Sequence, residues 1–502
     1  MRQSLFLSFS LLLCATAWSN QHEDNLGKKP NIVFLFADDQ RADTIGLHGN
    51  PHIQTPNLDS LADTGYSFLR NYCAGSYSGA VCVASRSMLM TGRHWMSLPP
   101  GNKSRNWIDL PLLPSELEEQ GGYQTFIVGK WHNGEETLKK AFSNGKSLYV
   151  GGMVNHADFQ VQDLADGKLS EKRDAGGFSS KVFADAAIEF IDTAETEKPY
   201  FLYVALTAPH DTRNPPESYR EMYYEDRPPL PKNFLPYHPF VNAPQVTQGR
   251  DEGLAPWPRT AEVISDQLCE YYGLITHLDE QVGRVMKAIK DSPQGDNTII
   301  IYTADHGLAM GSHGLLGKQN VYEQSMRSPL IMSGPGIPNG RSNSSYTYVH
   351  DLYATIFDMS GIEAPSEMDA LSLLPIINDE TEAVRDTLFL PFQDNQRAVS
   401  DGTWKLHVYP KINHALLFNL EKDPHETRNL AEDPHYKRQL TRMMALMEST
   451  LTVFGDSDPL QVDNPGSKKP VYDNEKRTLD IWQPKWIRDK YFGGRNNPNH
   501  GN

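Results

Sequence analysis

Four short apolar runs, each broken off by residues that carry chemistry, constrain the fold of this chain more than any other feature. Ile32-Val33-Phe34-Leu35-Phe36 ends at Asp38-Asp39, and Thr125-Phe126-Ile127-Val128 ends at Gly129-Lys130-Trp131-His132. Phe201-Leu202-Tyr203-Val204 leads to Ala208-Pro209-His210, and Thr298-Ile299-Ile300-Ile301-Tyr302 ends at Asp305-His306-Gly307. A continuous β-branched and aromatic run reads as a strand buried on both faces, the environment of a parallel sheet between helical layers. Ligands of open α/β sheets bind beyond the carboxyl ends of the strands. The pattern therefore predicts all of this chemistry on one edge of one sheet. Between the last two strands, Tyr272, Ile275, Leu278, Val282, Val285, Met286 and Ile289 recur at helical spacing and predict an amphipathic helix over that sheet. The amino-terminal three quarters reads as an α/β domain with a mainly parallel sheet.

A chain of 502 residues exceeds the roughly 250 to 300 residues that one core usually serves, so a second, smaller domain is expected. Beyond a polar stretch from Leu374 to Val384, the runs Thr387 to Leu390, Trp404 to Tyr409 and Leu416 to Leu420 read as strands, and Pro434 to Leu451 as a helix. The segment from Pro215 to Pro258 is dense in proline and aromatics without periodicity and reads as a long ordered excursion near the site. At the start, Leu5 to Ala17 behind Arg2 ends in Ala15-Thr16-Ala17, the form of a signal peptide, and is too short to span a bilayer comfortably. Leu11-Leu12-Leu13-Cys14 hints at a lipoprotein box, but the bulky Leu13 directly before the cysteine argues against lipid attachment. No second apolar span follows, so the mature chain is expected to be exported, periplasmic or secreted, without a transmembrane segment. Its formal charge of −16 disfavours nucleic acid as a partner, and an anionic ligand must meet a local cationic pocket. Cys73, Cys82 and Cys269 remain after export, and pairing of Cys73 with Cys269 stays open.

Adjacent carboxylates at a strand end repel one another and favour a hard divalent cation. Asp38-Asp39 alone reads equally as a solvated turn; with Asp305-His306 after a second buried strand, the metal reading prevails. Cys82 opens the run Cys82-Val83-Ala84-Ser85-Arg86-Ser87-Met88-Leu89-Met90-Thr91-Gly92-Arg93. A cysteine at a helix start, where anions are favoured, is placed as a nucleophile, against the plain alternative of a packed free thiol.

That run resembles the type I sulfatase signature CxPxR followed by xxxLxTGR, whose cysteine is oxidised after synthesis to formylglycine (3-oxoalanine). Ala84 stands where the family usually has proline. The resemblance thus leaves two maturation partners open, a formylglycine-generating enzyme or a radical-type sulfatase-maturating enzyme, of which the second tolerates alanine better. Gly129-Lys130-Trp131-His132 is similar to the family's GKWH motif, and Asp305 through Lys318 to its DHGxxxGxHG…K segment. Asp423-Pro424-His425-Glu426-Thr427 with Asn429-Leu430 is similar to the turn of its carboxyl-terminal domain.

The resemblance implies an alkaline-phosphatase-like α/β fold: a large mixed, mainly parallel sheet flanked by helices, plus a smaller C-terminal α+β domain with an antiparallel sheet. The boundaries are then 1–19 for a signal peptide, 20–380 for the catalytic domain, and 381–502 for the C-terminal subdomain and tail. It implies one calcium ion per chain on Asp38, Asp39, Asp305, His306 and the converted Cys82, with His306 the least suited ligand because calcium prefers oxygen. Arg86 and Lys130 would hold the nucleophile and sulfate, and His132 would take a proton to regenerate the aldehyde. His210 would protonate the departing oxygen, and Lys318 would bind sulfate. The insert from Phe142 to His156 resembles bacterial polysaccharide sulfatases, which points to a sulfated carbohydrate such as ulvan, carrageenan or fucan, with His156, Arg213 and Asn214 as sugar contacts. Two other readings compete: a phosphonate or phosphodiester hydrolase of the same superfamily, and a non-catalytic glycan-binding protein with an unmodified Cys82.

Overall fold

The computed structural model describes residues 28–99, 107, 109–240, 250–469 and 484–492. The signal peptide and lipoprotein-box readings fall on residues 1–27 and lie outside the described residues. The four apolar runs form β1 (Asn31–Ala37), β2 (Gln124–Trp131), β3 (Tyr200–Ala205) and β4 (Thr298–Ala304). They lie side by side in the order β4-β1-β3-β2 at the centre of an eleven-stranded sheet, and all three of these pairings are parallel. Antiparallel pairing begins at the strand Leu330–Ser333 beyond β4, which makes the sheet mixed and mainly parallel at its heart.

Each strand is apolar throughout because both faces are covered. Ile32, Phe34 and Phe36 join Met88 and Leu89 of α1 (Val81–Thr91) on one side. Val33, Leu35 and Ala37 meet Leu278, Val282 and Val285 of α2 (Ala261–Asp291) on the other. The helix expected from Tyr272 to Ile289 is thus the second half of α2, whose start is capped by the Thr260 hydroxyl accepting from the Val263 amide at 3.2 Å. The excursion from Pro215 to Pro258 is less irregular than its sequence suggests, since Glu217–Glu225 is helical. Only Tyr223 of that helix is buried, so no apolar stripe announces it.

The carboxyl-terminal part is a four-stranded antiparallel meander: β5 (Leu388–Phe392), β6 (Gln396–Ser400), β7 (Trp404–Tyr409) and β8 (His414–Asn419). The helix Lys437–Val453 lays Met443, Met447 and Leu451 on Val399, Leu406 and Leu417. After β8, Asp423 closes the turn by accepting from the Arg428 amide at 2.8 Å and the Thr427 hydroxyl at 2.9 Å. Asn429 accepts from the Leu417 amide at 3.0 Å, and Leu430 enters the core. Glu426, at φ 55°, points its carboxylate inward. It meets Lys405 Nζ at 3.0 Å and His407 Nε2 at 3.0 Å, and accepts from the Glu323 amide at 2.8 Å. Lys405 also donates to Glu323 at 2.8 Å. This buried network rivets the meander to the large domain. Among the described residues no helix is long and apolar enough to cross a membrane, and Cys73, Cys82 and Cys269 are all free thiols.

Burial would raise the Glu426 carboxyl, but Lys405 and His407 outweigh it and hold the group far below its ordinary range. Glu426→Ala takes from the buried Lys405 ammonium one of its two carboxylate partners and from His407 its acceptor, and urea denaturation is expected to show a loss of about 3 kcal/mol. A single-variant loss below about 1 kcal/mol would contradict the network's role. Because the folded-state value is depressed, the contribution is full above the unfolded glutamate pKa of about 4.3 and fades as pH falls toward the folded value.

Candidate active site

The register of the central strands assembles the site. Ala37 pairs with Ala304, so Asp38 and Asp305 emerge from neighbouring strand ends at one level. Gly129 pairs with Ala205 one strand further, and the register of β2 shifts between Val128 and Lys130. Gly129 sits at φ 89°, where an added Cβ would lie 2.1 Å from the Ala205 carbonyl oxygen; only glycine permits this bulge, which re-aims Lys130.

Lys130, wholly buried, pairs with Asp38. Asp39 follows in the left-handed region at φ 68°, a conformation aspartate tolerates better than most residues. Its carboxylate accepts from Lys318 Nζ at 2.7 and 2.9 Å. Asp305 Oδ1 accepts from the amides of Asp39 and His306, each at 3.0 Å.

All residues of α1 are buried, which explains its long apolar run. The spacing of Cys82, Ser85, Arg86 and Leu89 places them on one helix face. The Ser85 hydroxyl donates to the Asp305 carbonyl at 2.7 Å and pins the helix to the strand end. Arg86 lies 3.4 Å from Asp38 and 3.3 Å from Asp305, with its guanidinium 4.7 Å over the Phe36 ring. Cys82 Sγ lies 3.1 Å from His132 Nδ1. Burial would raise the Cys82 thiol, yet Lys130 and Lys318 bring it down to about 7.

One oxygen each of Asp38, Asp39 and Asp305 lies within a 4.8 Å group, and Cys82, Asp305 and His306 form a second such group. Asp38 Oδ1 and His306 Nε2 are buried without a hydrogen-bond partner. His306 Nδ1 is occupied by the Gly307 carbonyl at 2.9 Å, so Nε2 is the nitrogen that could hold a metal. Burial pushes Asp39 up to about 7 despite Lys318 and His306. Three desolvated carboxylates, one with an oxygen lacking a hydrogen bond, beside a committed imidazole are a donor set that fits a divalent cation.

Beside these groups lies a cleft of about 590 Å³ whose walls include Cys82, His132, Gly152, His210, Arg250 and Lys318. A Cβ on Gly152 would lie 2.5 Å from His132 Nε2, so backbone packs directly on that ring. His210 directs Nε2 to within 3.7 Å of Asp39. The nucleophile, carboxylate and cationic residues singled out in the sequence thus meet in one place.

The three suggested sugar contacts do not line this cleft. His156 is buried, with Nδ1 2.7 Å from the Ser179 hydroxyl and Nε2 2.9 Å from the His210 carbonyl, so it supports the loop from beneath. Arg213 is buried and donates to Gln267 at 2.8 Å, while Asn214 accepts from Arg220 at 2.7 Å. In their place the cleft presents Arg250, Asp251 and Gln319, which carry no motif; the one sequence signal was that Arg250 and Asp251 belong to the proline-rich excursion.

Comparison with known proteins agrees with this geometry. The sulfatase family matches residues 30–362, and the N-sulphoglucosamine sulphohydrolase C-terminal family matches residues 311–452. An N-acetylglucosamine-6-O-sulfatase of Bacteroides thetaiotaomicron is 25% identical over 530 residues, covering 91% of this chain and 92% of the relative. An arylsulfatase of Clostridium perfringens is 27% identical over 458 residues, covering 84% of this chain and 94% of the relative. A protein solved in complex with its substrate D-glucosamine-2-N,6-O-disulfate superposes with a TM-score of 0.71 at 23% identity, covering 86% of this chain and 99% of that one. The match to the sulfatase family over most of the chain, on a fold shared with these structures, makes this protein a member of the sulfatase family and a sulfuric ester hydrolase.

Proposed function

We propose that the chain removes sulfate from a sulfated carbohydrate, with formylglycine derived from Cys82 as nucleophile and calcium on Asp38, Asp39, Asp305, His306 and residue 82. The observation that carries this reading is the meeting of Cys82, His132 and three strand-end carboxylates beside a cleft lined by Lys318 and His210, with Lys130 buried on Asp38. When bound, calcium supplies positive charge beside the reacting oxygens. The hydrated aldehyde supplies a hydroxyl as nucleophile.

The chain's own residues do the rest. Arg86, Lys130 and Lys318 stabilise charge on the sulfate oxygens as the sulfur–oxygen bond to the sugar breaks. His210, across the cleft, delivers a proton to the departing sugar oxygen, and His132, touching residue 82, removes a proton from that side chain in the step that restores the aldehyde. The relatives' amino-sugar sulfates and the algal glycans ulvan, carrageenan and fucan share one demand, a pocket for a sulfate on a hydroxylated ring. We place the protein outside the cytoplasm on the amino-terminal signal pattern and assign its maturation to an enzyme that accepts the CxAxR form.

Mass spectrometry of the peptide containing Cys82, from protein purified from its native host, should show the mass loss that accompanies conversion of thiol to aldehyde. Cys82→Ala should lower turnover of 4-nitrophenyl sulfate at least about 10³-fold; an unconverted cysteine together with an active alanine variant would remove the nucleophile. Chelation should abolish turnover and lower Tm, with calcium restoring both; activity that survives exhaustive chelation refutes the cation. His210→Ala should reduce alkyl or sugar sulfate hydrolysis about 10²-fold more than that of activated aryl sulfates, because a good leaving group needs less protonation. Equal losses on both substrate classes would count against the acid.

A further inference from the structure

We propose that Asp211, clamped by Arg250, is a positioning residue that aims the His210 ring at the leaving group; the inference rests on the reading of His210 as the acid. His210 Nδ1 donates to the Asp211 carbonyl oxygen at 2.7 Å, and Asp211 Oδ1 lies 3.2 Å from the same nitrogen. Nδ1 is therefore committed to residue 211, and Nε2 is the nitrogen turned toward Asp39 and the cleft.

The carboxylate is itself immobilised. Arg250 grips both of its oxygens, NH1 reaching Oδ1 at 3.1 Å and NH2 reaching Oδ2. Such a fork fixes the plane of the carboxylate as well as its distance. Arg250 NH1 also meets Asp251 Oδ1 at 3.0 Å, and Asp251 Oδ2 accepts from Gln319 Nε2 at 2.9 Å, beside Lys318. The chain of contacts runs from one wall of the cleft to the other.

The backbone below the ring is held separately. His156 bonds the His210 carbonyl at 2.9 Å, and the His210 amide donates to Thr207 at 3.1 Å. These contacts fix the loop but leave the imidazole free to turn about its side-chain bonds. The Asp211 carbonyl and carboxylate, both on Nδ1, remove this freedom together, and the carboxylate is the part that a side-chain substitution can change. A misaimed ring loses proton delivery without losing substrate binding.

The test is the dependence of kcat on leaving-group pKa across substituted phenyl sulfates, for wild type, Asp211→Asn, Arg250→Lys, Arg250→Ala and His210→Ala. Asp211→Asn, nearly isosteric, should lose about tenfold more kcat on phenyl sulfate than on 4-nitrophenyl sulfate, with the change in kcat rather than KM. Arg250→Ala should steepen the dependence likewise, and Arg250→Lys should fall between it and wild type. Circular dichroism and Tm report folding of each variant. If His210→Ala steepens the dependence and Asp211→Asn lowers every substrate alike, the positioning role is overturned and the acid stands. If His210→Ala itself acts uniformly, the acid reading fails and this inference falls with it.

Discussion

Three carboxylates buried at the ends of two adjacent parallel strands are the constraint around which this molecule is built. Removing Asp38, Asp39 and Asp305 from water and crowding them together is costly unless positive charge is brought in with them. The fold answers with Lys130 on Asp38, Lys318 on Asp39, and Arg86 between Asp38 and Asp305. Three positive groups against three negative ones make the cluster formally neutral. A divalent cation in the same donor set would turn it into a cluster carrying two positive charges, matched to the anionic ester and nucleophile proposed above. A chain with a formal charge of −16 can attract a sulfated ligand only through such a local reversal of sign.

The carboxyl-terminal meander belongs to this arrangement. The segment that carries Lys318 into the cleft runs on to Glu323, and the meander holds both ends of it. Gln396 of β6 donates to the Gln319 carbonyl at 3.1 Å, and Lys405 and Glu426 hold the Glu323 side chain and amide. Glu426 of the carboxyl-terminal turn thus acts at a distance on a cleft it never touches. That is a physical reason for a strand-and-turn unit so far along the chain to stay docked on the catalytic sheet.

Much of this was legible before the structure, for a specific reason. Strands buried on both faces leave continuous apolar runs, and in a parallel sheet the polar residues that end them must share an edge, so Asp38, Lys130, His210 and Asp305 announced the fold and their shared place at one sheet edge. Where polar residues are buried or apolar ones exposed, the pattern is silent. Strand β6 opens with Gln396 and Arg397, the latter paired with Asp456 at 2.5 Å, and so shows no apolar alternation there. His156, Arg213 and Asn214 were taken for sugar contacts because polar residues near a motif suggest a ligand. Sequence cannot tell a side chain facing the cleft from one that braces the loop behind it; in this chain His156 and Arg213 are buried on interior partners, and half-buried Asn214 is engaged by Arg220.

The residues with separate tasks sit on elements of different stiffness. Cys82 is on a helix with no exposed residue, and the carboxylates are at the ends of central strands, where backbone pairing on both sides limits movement. His210, the proposed acid, is on a loop, the kind of element that tolerates change more readily. That loop is nonetheless tied to the metal-ligand strand: the Leu206 amide donates to the Phe36 carbonyl at 2.8 Å, and the Asp38 amide donates to the Ala208 carbonyl at 3.2 Å. A displacement of β1 would therefore carry His210 with it and preserve its distance to the reacting centre. The geometry that matters for the proposed proton delivery is then decided by the orientation of one ring, and the groups that hold its Nδ1 belong to residue 211.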